Sequence, residues 1–352
     1  MKMSHSPLGV AIVGFGGMGS EHARKIETID CMRVIGSYDP EPTRQQAALA
    51  LGYQTYPNLQ AILDDPAVAI VLIATPNHVH KEIAIAALRA KKAVICEKPV
   101  TMNSDELKEI IAVANETGML FTVHQNRRWD EDYLAIKQLY DDGSLGEITH
   151  IEQRIHGSRG IPGDWRQLPE YGGGMMLDWG VHLVDRILLM VKDKVKHVFC
   201  HLIHDDHQTV DDGFHLFIEF ESGKTALMEV GTKNFINLPL WYVTGTRGTA
   251  LIQDWSMQGK IVHLEHDTGH DATPIIAGAG LTKTMAPRID DSTIETPMIR
   301  LDTDVRDFYQ NVADVLAGKA EKIVKDDEVL RVMLLLEAAM RSDALRQVVP
   351  FE

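Results

Sequence analysis

A segment in the middle of the chain, "GGGMMLDWGVHLVD" (residues 172–185), joins a glycine run to apolar residues that alternate with polar ones. Asp178, His182 and Asp185 stand at positions i, i+4 and i+7, so the spacing predicts one shared helix face. Such a group can bind a metal, exchange protons with a substrate, or satisfy its own hydrogen bonds inside a helix interface. The residues alone leave these three alternatives open. The glycines at 172–174 would let the backbone approach another part of the protein closely.

A second chemical pattern is the glycine-rich turn in "AIVGFGGMGSEHA", which follows a predicted strand and opens a predicted helix. Gly14 permits the tight turn, Gly16 allows pyrophosphate to approach, and Gly19 lets the helix pack on the strand. The helix N-terminus offers free N–H groups to phosphates. The alternative is a glycine-rich surface turn without a ligand. The predicted dinucleotide contacts in this turn are Gly14, Phe15, Gly16, Gly17, Met18 and Gly19.

An acidic residue then indicates which dinucleotide is bound. Asp39 ends the second predicted strand, 20 residues after Gly19. A carboxylate at this position accepts hydrogen bonds from the ribose hydroxyls of NAD and repels the 2′-phosphate of NADP. We therefore predict NAD as the cofactor, in preference to NADP.

The elements that must position these residues fall into two parts. The first 125 residues alternate short β-branched strands with helical patterns, which predicts an α/β, doubly wound parallel Rossmann sheet. Longer alternating segments farther along indicate an α+β domain with a large, mostly antiparallel sheet. We expect a surface loop near 268–300 and amphipathic helices near 303–317 and 326–346. The predicted domains are a dinucleotide-binding domain, 1–125, and a substrate-binding and oligomerisation domain, 126–352.

Composition excludes several classes of partner. The 352 residues include 35 basic and 50 acidic side chains, and the net charge of −15 argues against nucleic-acid or anionic-membrane binding. No apolar run has the length of a signal peptide core or a membrane span. Cys31, Cys96 and Cys200 are widely spaced, so neither a disulfide framework nor a zinc knuckle is expected. A reducing cytoplasm is the expected location.

Several motifs, in their order and spacing, resemble one known family. They are "TPNHVHKEIAIAALRAKKAVICEKPV" (75–100), "HQNRRW" (124–129), "GDWR" (163–166) and "VTGTRGTA" (243–250), together with the glycine turn, Asp39 and the 172–185 segment. This set is similar to the Gfo/Idh/MocA oxidoreductases, which include glucose–fructose oxidoreductase and inositol dehydrogenase, over nearly the whole chain. One departure is Ala90-Lys91-Lys92-Ala93, where the family usually has a glycine. Without this glycine the residue that most easily forms a left-handed helix cap is missing, so the sequence does not determine the geometry of that turn.

The resemblance implies roles for individual residues. Lys98 would reach both the nicotinamide ribose and the substrate, and Asp178 and His182 match the substrate and catalytic residues of the family. The implied cofactor contacts beyond the glycine turn are Asp39, Thr75, Asn77, His80, Glu97, Lys98, Asn126, Trp165 and Arg166. The candidate substrate contacts are Lys98, Arg127, Asp178 and His182. Plainer alternatives are a surface lysine for Lys98, a helix N-terminal residue for His80, and a cationic surface start to a helix for "NRRW".

Because the resemblance agrees with the predicted shared helix face, the acid–base interpretation of Asp178 and His182 is preferred. Asp185 is expected to be a structural partner. No metal is expected, because no third ligand stands at a recognisable spacing. The predicted activity is NAD-dependent oxidation or reduction of a secondary hydroxyl or keto group of a sugar, cyclitol or sugar derivative, with Lys98 and His182 handling the hydroxyl proton. One alternative is a hydrolase, lyase or epimerase with tightly bound NAD. A non-enzymatic dinucleotide sensor is disfavoured by the trio Lys98, Asp178 and His182.

Assembly is also implied by the resemblance. We expect a homodimer or homotetramer formed through the sheet of the second domain, whose alternating strands would expose one broad face.

Overall fold

A parallel sheet and its connecting helices form residues 8–123, the first half of the molecule; the remaining residues form the second half. The computed structural model describes residues 6–205, 209–267, 269, 273–284, 288 and 291–351. The strands are β1 (Leu8–Val13), β2 (Met32–Tyr38), β3 (Gln54–Thr55), β4 (Ile70–Ile73), β5 (Ala93–Cys96) and β6 (Phe121–Val123). Five helices connect them: α1 (Gly17–Ile26), α2 (Pro42–Ala50), α3 (Leu59–Asp64), α4 (His80–Arg89) and α5 (Ser104–Thr117).

The strand order of this sheet explains where a ligand can bind. The strands lie in the order β3-β2-β1-β4-β5-β6, and every described pair is parallel. β4 and β5 are apolar throughout and fully buried, as expected for strands covered by helices on both faces. The order reverses between β1 and β4, which opens a crevice at their carboxyl ends. The predicted Rossmann sheet is confirmed.

The described residues of the second half contain a nine-stranded sheet and four α-helices. The remaining elements are α6 (Glu131–Asp141), β7 (Ile148–His156), α7 (Val181–Met190), β8 (Val195–Ile203), β9 (Gly213–Phe220), β10 (Thr225–Gly231), β11 (Trp241–Gly245), β12 (Gly248–Ile252), β13 (Gly259–Leu264), β14 (Ile275–Ala277), β15 (Gly280–Thr282), β16 (Thr293–Pro297), α8 (Arg306–Leu316), α9 (Asp326–Leu345) and β17 (Val349–Pro350). The large sheet has the order β16-β13-β12-β11-β7-β10-β9-β8-β17. Of its described pairs, only β7 with β10 is parallel. The predicted large, mostly antiparallel sheet is confirmed.

The segment 268–300 is a correction to the predicted surface loop. Its residues 293–297 form β16, an edge strand that pairs with β13, and residues 275–282 form the β14–β15 hairpin. Residues 268, 270–272, 285–287 and 289–290 lie outside the described residues. An edge strand is short and half exposed, so its sequence lacks the apolar alternation that marks a strand with two neighbours.

The last two helices connect the halves. Their bounds agree with the predicted amphipathic helices, and α9 packs on β8, α7 and α5. Glu337 on α9 accepts hydrogen bonds from the backbone N and the Oγ of Ser104 at 2.6 and 2.8 Å. Lys322 donates from Nζ to the carbonyl oxygen of Phe121 at 2.9 Å. The C-terminal segment therefore contacts the first sheet as well as the second, and the domain boundary near 125 stays a prediction.

The turn after α4 keeps its left-handed cap although the glycine is missing. Lys91 adopts φ +61, and its N–H bonds the carbonyl oxygen of Leu88 at 3.0 Å. A residue with a Cβ in this region costs about 1 kcal/mol relative to glycine. The turn therefore adopts the left-handed conformation with a lysine in place of a glycine. Within the described residues, no helix has the length and apolar character needed to cross a lipid bilayer.

Candidate active site

The first part of the site is the turn between β1 and α1. Gly14 has φ +90, and a Cβ there would lie 2.6 Å from the carbonyl oxygen of Ala74. A Cβ on Gly19 would collide with the carbonyl oxygen of Gly14, whereas one on Gly17 would meet nothing within 4 Å. No side chain caps the N-terminus of α1. The turn is therefore tight on its inner side and open on its outer side, where free N–H groups suit a phosphate.

Asp39 lies beside this turn. Its Oδ2 accepts a hydrogen bond from the N–H of Phe15 at 2.7 Å, and its Oδ1 accepts one from Glu41 at 2.9 Å. A carboxylate has about four acceptor sites, so both oxygens can accept a further bond. Arg44 approaches to 3.7 Å of the same carboxylate. The ring of Phe15 is buried against Tyr53, so only the backbone of Phe15 is placed to contact a ligand.

The centre of the site is the Asp178 carboxylate, which holds two cations from different parts of the chain. Lys98, directly after β5, donates from Nζ to Oδ1 and to the carbonyl oxygen of Asp178, both at 3.1 Å. Arg166 donates from Nε to Oδ2 at 3.1 Å and is itself paired with Asp164. Burial alone would raise the pKa of Asp178, but the ion pairs with Lys98 and Arg166 outweigh it and lower the pKa. The carboxylate is therefore charged at neutral pH.

His182 is the candidate base. Its ring is buried, and its Nδ1 has no hydrogen-bond partner among the described residues. Burial, followed by the positive charges of Lys98 and Arg127, holds the pKa of His182 well below its ordinary value. The imidazole is therefore neutral near pH 7 and can accept a proton.

The helix that carries these residues does not have the predicted regular face. Residues 176–180 form a π-helical turn, and α7 begins only at Val181. The two carboxylates have different partners. Asp178 contacts Lys98 and Arg166, whereas Asp185 pairs with Arg128 at 2.7 Å. π-helical turns are rare and often occur at functional sites. The predicted helix is therefore irregular at Asp178, and Asp185 has a structural partner in Arg128, as expected.

A buried hydrogen-bond network lies under Lys98. Oε1 of Glu97 accepts bonds from His22 Nε2 at 2.8 Å and His124 Nδ1 at 2.7 Å. His22 Nδ1 contacts the hydroxyl of Tyr309 at 2.7 Å, and Oε2 of Glu97 accepts the N–H of Lys98 at 3.1 Å. Burial would raise the pKa of Glu97, but His124 and His22 lower it well below its usual range. The ionised Glu97 therefore anchors the backbone from which Lys98 projects.

His22, Glu97 and His124 are also the one group in the described part of the chain that could offer three ligand atoms to a metal. The 2.7 and 2.8 Å distances from both rings to one carboxylate oxygen match hydrogen bonds. Two ligand atoms around one tetrahedral zinc lie farther apart, roughly 3.3 Å for bonds of about 2.0–2.1 Å. The geometry therefore favours hydrogen bonding over metal binding at Glu97.

Buried polar atoms without partners gather along the crevice. Such atoms are uncommon in proteins, because each costs the free energy of its lost hydration. Those at the carboxyl ends of β4 and β6 and on α7 are Thr75 Oγ1, His124 Nε2, both amide atoms of Gln125, Asn126 Oδ1, Arg127 Nε and His182 Nδ1. This arrangement, with the open glycine turn, fits a dinucleotide whose nicotinamide ribose lies at the ends of β4 to β6.

His80 requires a correction. Its ring is fully buried, with Nε2 2.8 Å from the carbonyl oxygen of Thr75 and Nδ1 3.1 Å from that of Pro99. Both ring nitrogens therefore face backbone carbonyl oxygens, of which a neutral imidazole can donate to only one, and the ring has no exposed surface. Glu97 is likewise buried, and both its carboxylate oxygens accept hydrogen bonds from within the chain.

The glycine run brings the two halves together. Asn77 donates from Nδ2 to the carbonyl oxygen of Gly172 at 3.0 Å, and a Cβ on Gly172 would lie 2.7 Å from that amide nitrogen. The close approach expected of these glycines is confirmed. Asn77 therefore lies buried at the junction, while Trp165 and Arg166 lie in a short turn capped by Asp164.

The "NRRW" motif has two different arginines. Arg128 is buried and paired with Asp185 and Glu328, so the alternative of a cationic surface is wrong for it. Arg127 is half-buried beside two tryptophans, Trp179 and Trp255. The expected substrate contact of Arg127 stays a prediction.

Asp211 fixes the start of the π-helical turn. Its Oδ2 accepts the N–H of Met176 at 2.7 Å, its carbonyl oxygen accepts that of Met175 at 3.0 Å, and a Cβ on Gly174 would overlap its carboxylate. Burial raises the pKa of Asp211 to about 6. The residues of the site that sequence reasoning missed are His22, His124, Trp179, Asp211, Trp255 and Tyr309. Apart from Trp179, which lies three residues before His182, their partners are distant in the chain.

Comparison with known proteins agrees with this architecture. Residues 8–125 match a family model described as an oxidoreductase family with an NAD-binding Rossmann fold, and residues 133–251 match the GFO/IDH/MocA C-terminal domain. A solved NAD-binding protein from Listeria innocua is 46% identical, covers 99% of this chain and 100% of its own, and superimposes with a TM-score of 0.95.

Several curated relatives have named activities. The scyllo-inositol 2-dehydrogenase (NADP(+)) of Bacillus subtilis is 26% identical over 97% of this chain and 96% of its own length. The 2,7-anhydro-N-acetylneuraminate hydratase of Escherichia coli is 28% identical over 71% of this chain and 68% of its own.

The buried carboxyl of Asp211 predicts a pH-dependent stability. Because its folded pKa of about 6 lies above the ordinary value of 3.8, its contribution is complete below the unfolded pKa and is lost as pH rises through 6. Asp211→Asn keeps an acceptor for Met176 but cannot titrate. We expect the free energy of unfolding of the wild type, relative to this variant, to fall by roughly 2 kcal/mol between about pH 4 and pH 8. Urea denaturation across this range measures it, and parallel pH curves for both proteins would contradict it.

Proposed function

Because this chain belongs to the Gfo/Idh/MocA family of oxidoreductases, we propose that it is an NAD-dependent dehydrogenase of a secondary hydroxyl or keto group in a sugar, cyclitol or sugar derivative. The observation that carries this proposal is the Asp178 carboxylate held by Lys98 next to the neutral, buried His182, at the carboxyl edge of an NAD-binding sheet. The scyllo-inositol 2-dehydrogenase among the relatives supports a polyhydroxylated ring as substrate.

The residues of the site have distinct roles in this proposal. A bound nicotinamide supplies the hydride acceptor for alcohol oxidation. Lys98 donates a hydrogen bond to the reacting oxygen and stabilises the negative charge that develops on it. His182 accepts the hydroxyl proton, because its imidazole is neutral and its Nδ1 is unpartnered. Asp178 orients a neighbouring hydroxyl and keeps the Lys98 amine in place.

A second candidate is a hydrolase, lyase or epimerase that keeps NAD bound and oxidises its substrate only transiently. The Escherichia coli hydratase among the relatives favours this alternative. The two candidates differ in whether free NADH accumulates. Absorbance at the NADH band during turnover, together with mass spectrometry of nucleotide released on denaturation, separates them.

We also propose a cytoplasmic location, which the cysteines support. Cys31, Cys96 and Cys200 are all unpaired, and the last two are buried. Unpaired cysteines are the rule in a reducing compartment, which supports a cytoplasmic location for this enzyme.

The proposed catalytic trio makes a kinetic prediction. We expect His182→Ala to lower kcat by about 10²–10⁴-fold with NAD affinity nearly intact, since the phosphates bind at the glycine turn. Lys98→Met should lower the rate as strongly, and the double variant should be little worse than either single one, because the two residues act as a unit. Asp178→Asn should raise KM and lower kcat together.

Steady-state kinetics and thermal melting on the same preparations measure these effects, and His266→Ala, which removes an exposed imidazole, is the matched control. A folded His182→Ala protein with normal kcat would remove His182 from the mechanism.

Cofactor preference depends on Asp39. We expect NAD to bind more tightly than NADP, because a 2′-phosphate would face the Asp39 carboxylate at the end of β2. Asp39→Ala should narrow the difference, and Glu41→Ala, which removes an exposed carboxylate two residues away, should not. Calorimetric titration with both nucleotides measures the ratio. Equal or tighter NADP binding by the wild type would contradict the preference.

We also propose that copies of the chain associate through the outer face of the large sheet, as a dimer or tetramer. Strand register aligns a continuous outward row across six strands: Phe199, Phe217, Leu227, Glu152, Tyr242 and Leu251. Phe199 and Phe217 are 41% and 38% exposed, which is unusual for phenylalanine on a sheet. Charged residues flank this row, as at the rim of an interface.

Sedimentation velocity tests this assembly. At micromolar protein we expect a species of at least twice the 39.3 kDa of one chain. Phe217→Asp places a charge in this row between Phe199 and Leu227 and should shift the protein towards the monomer. A wild type that sediments only as a monomer would rule out the association.

A further inference from the structure

Two indoles and a guanidinium form a shelf next to His182, and we call Trp179, Trp255 and Arg127 the aromatic shelf. The ring of Trp179 lies 5.8 Å from that of His182, and the ring of Trp255 lies 6.3 Å beyond it at an interplanar angle of 41°. The guanidinium of Arg127 lies 4.8 Å from the Trp179 ring centre and 5.3 Å from that of Trp255. Neighbouring ring contacts therefore connect the proposed base to Trp255 through Trp179.

Three distant parts of the chain build the shelf. Arg127 follows β6, Trp179 stands in the π-helical turn, and Trp255 stands in the turn between β12 and β13. That hairpin turn is closed by a hydrogen bond from Gln253 N to the carbonyl oxygen of Gln258 at 2.6 Å. Trp255 is nevertheless 53% exposed, whereas His182 is buried. The outer end of the shelf is thus open to a ligand that reaches His182 with its inner end.

The hydrogen-bonding capacity of Arg127 is only partly used. Nη1 donates to Asp130 at 3.0 Å, and Asp130 is shared with Arg186. Nε is buried without a partner, and no described residue accepts a hydrogen bond from Nη2. The side chain is 30% exposed. The contacts with the indoles leave Nη2 available to a ligand, and a guanidinium N–H group forms a charge-assisted hydrogen bond with a carboxylate.

We propose that the aromatic shelf is a subsite for an acidic sugar, in which the apolar face of the ring lies on Trp255 and a ring carboxylate pairs with Arg127. This proposal rests on the proposed dehydrogenase function and narrows its substrate class. A neutral polyol would leave the charge of Arg127 without a second partner. The chain carries a net charge of −15, so an anionic substrate needs a local cation of this kind.

Binding of matched sugar pairs tests the proposal. The protein is saturated with NADH, so that a hydroxyl substrate has no hydride acceptor, and is titrated by calorimetry with glucuronate against glucose and galacturonate against galactose. In the wild type we expect at least one uronate to bind roughly tenfold or more tightly than its parent hexose, because a site built for a charged group discriminates strongly against its absence.

Variants identify the side chains responsible. Arg127→Gln keeps a hydrogen-bond donor but removes the charge, and the uronate-to-hexose ratio should fall to near one. Trp255→Ala should weaken the uronate while a preference over its hexose remains, since it removes the stacking surface and not the charge. Arg89→Gln, the same charge change at an exposed position on α4, is the matched control and should keep the wild-type ratio.

Three results would overturn the proposal: no binding of either uronate, equal binding of uronate and hexose by the wild type, or a uronate preference that survives in Arg127→Gln. Reduction of NAD by the same sugars is measured in parallel. Turnover of neutral hexoses without a uronate preference overturns the shelf and leaves the dehydrogenase function standing. Uronate binding that depends on Arg127, without NADH formation from any sugar, supports the shelf and contradicts the dehydrogenase.

Discussion

The ion pairs of Asp178 connect the two halves of the molecule at the place where the chemistry is proposed. Lys98 comes from the edge of the parallel sheet, and Arg166 comes from the short turn before the glycine run. A largely buried carboxylate is tolerated only when cations and hydrogen bonds replace its lost hydration, and removal of one partner typically costs about 3–5 kcal/mol. The same constraint holds the Lys98 amine next to the crevice, so stability and positioning have a common cause.

The surrounding charges follow from that central arrangement. Glu97 is ionised because two histidines donate to one of its oxygens, and its other oxygen holds the backbone of Lys98. His182 stays neutral because it is buried within the field of the Lys98 and Arg127 cations. The site therefore divides two tasks between different groups in the proposed mechanism. The Lys98 cation stabilises charge, and the neutral imidazole of His182 transfers the proton.

Close backbone approach is the second requirement of the site. Gly172 packs against Asn77, and Gly174 packs against Asp211, at positions where any Cβ would collide. Asp211 then caps the first N–H groups of the π-helical turn that presents Asp178. The glycine run therefore sets the distance between the halves, and Asp211 sets the direction in which the helix leaves it.

Local patterns were sufficient for much of this protein. The glycine turn, Asp39 and the buried strands β1, β4 and β5 were predicted from sequence, because each depends on contacts within a few residues or on the period of a single element. The same is true of the two C-terminal helices. The close approach of the backbone at residues 172–174 could also be predicted from sequence, since glycine has no Cβ and permits such packing.

Tertiary structure decided what each polar residue contacts. His80 has the right position for a cofactor contact but is turned into the backbone, and β16 becomes a strand only through its pairing with β13. The buried histidines around Glu97 and the shelf of Arg127, Trp179 and Trp255 join residues that are dozens of positions apart. A one-dimensional pattern can show that a residue is able to do chemistry, but its charge state and partners depend on burial and on neighbours that only the folded chain brings within hydrogen-bonding distance.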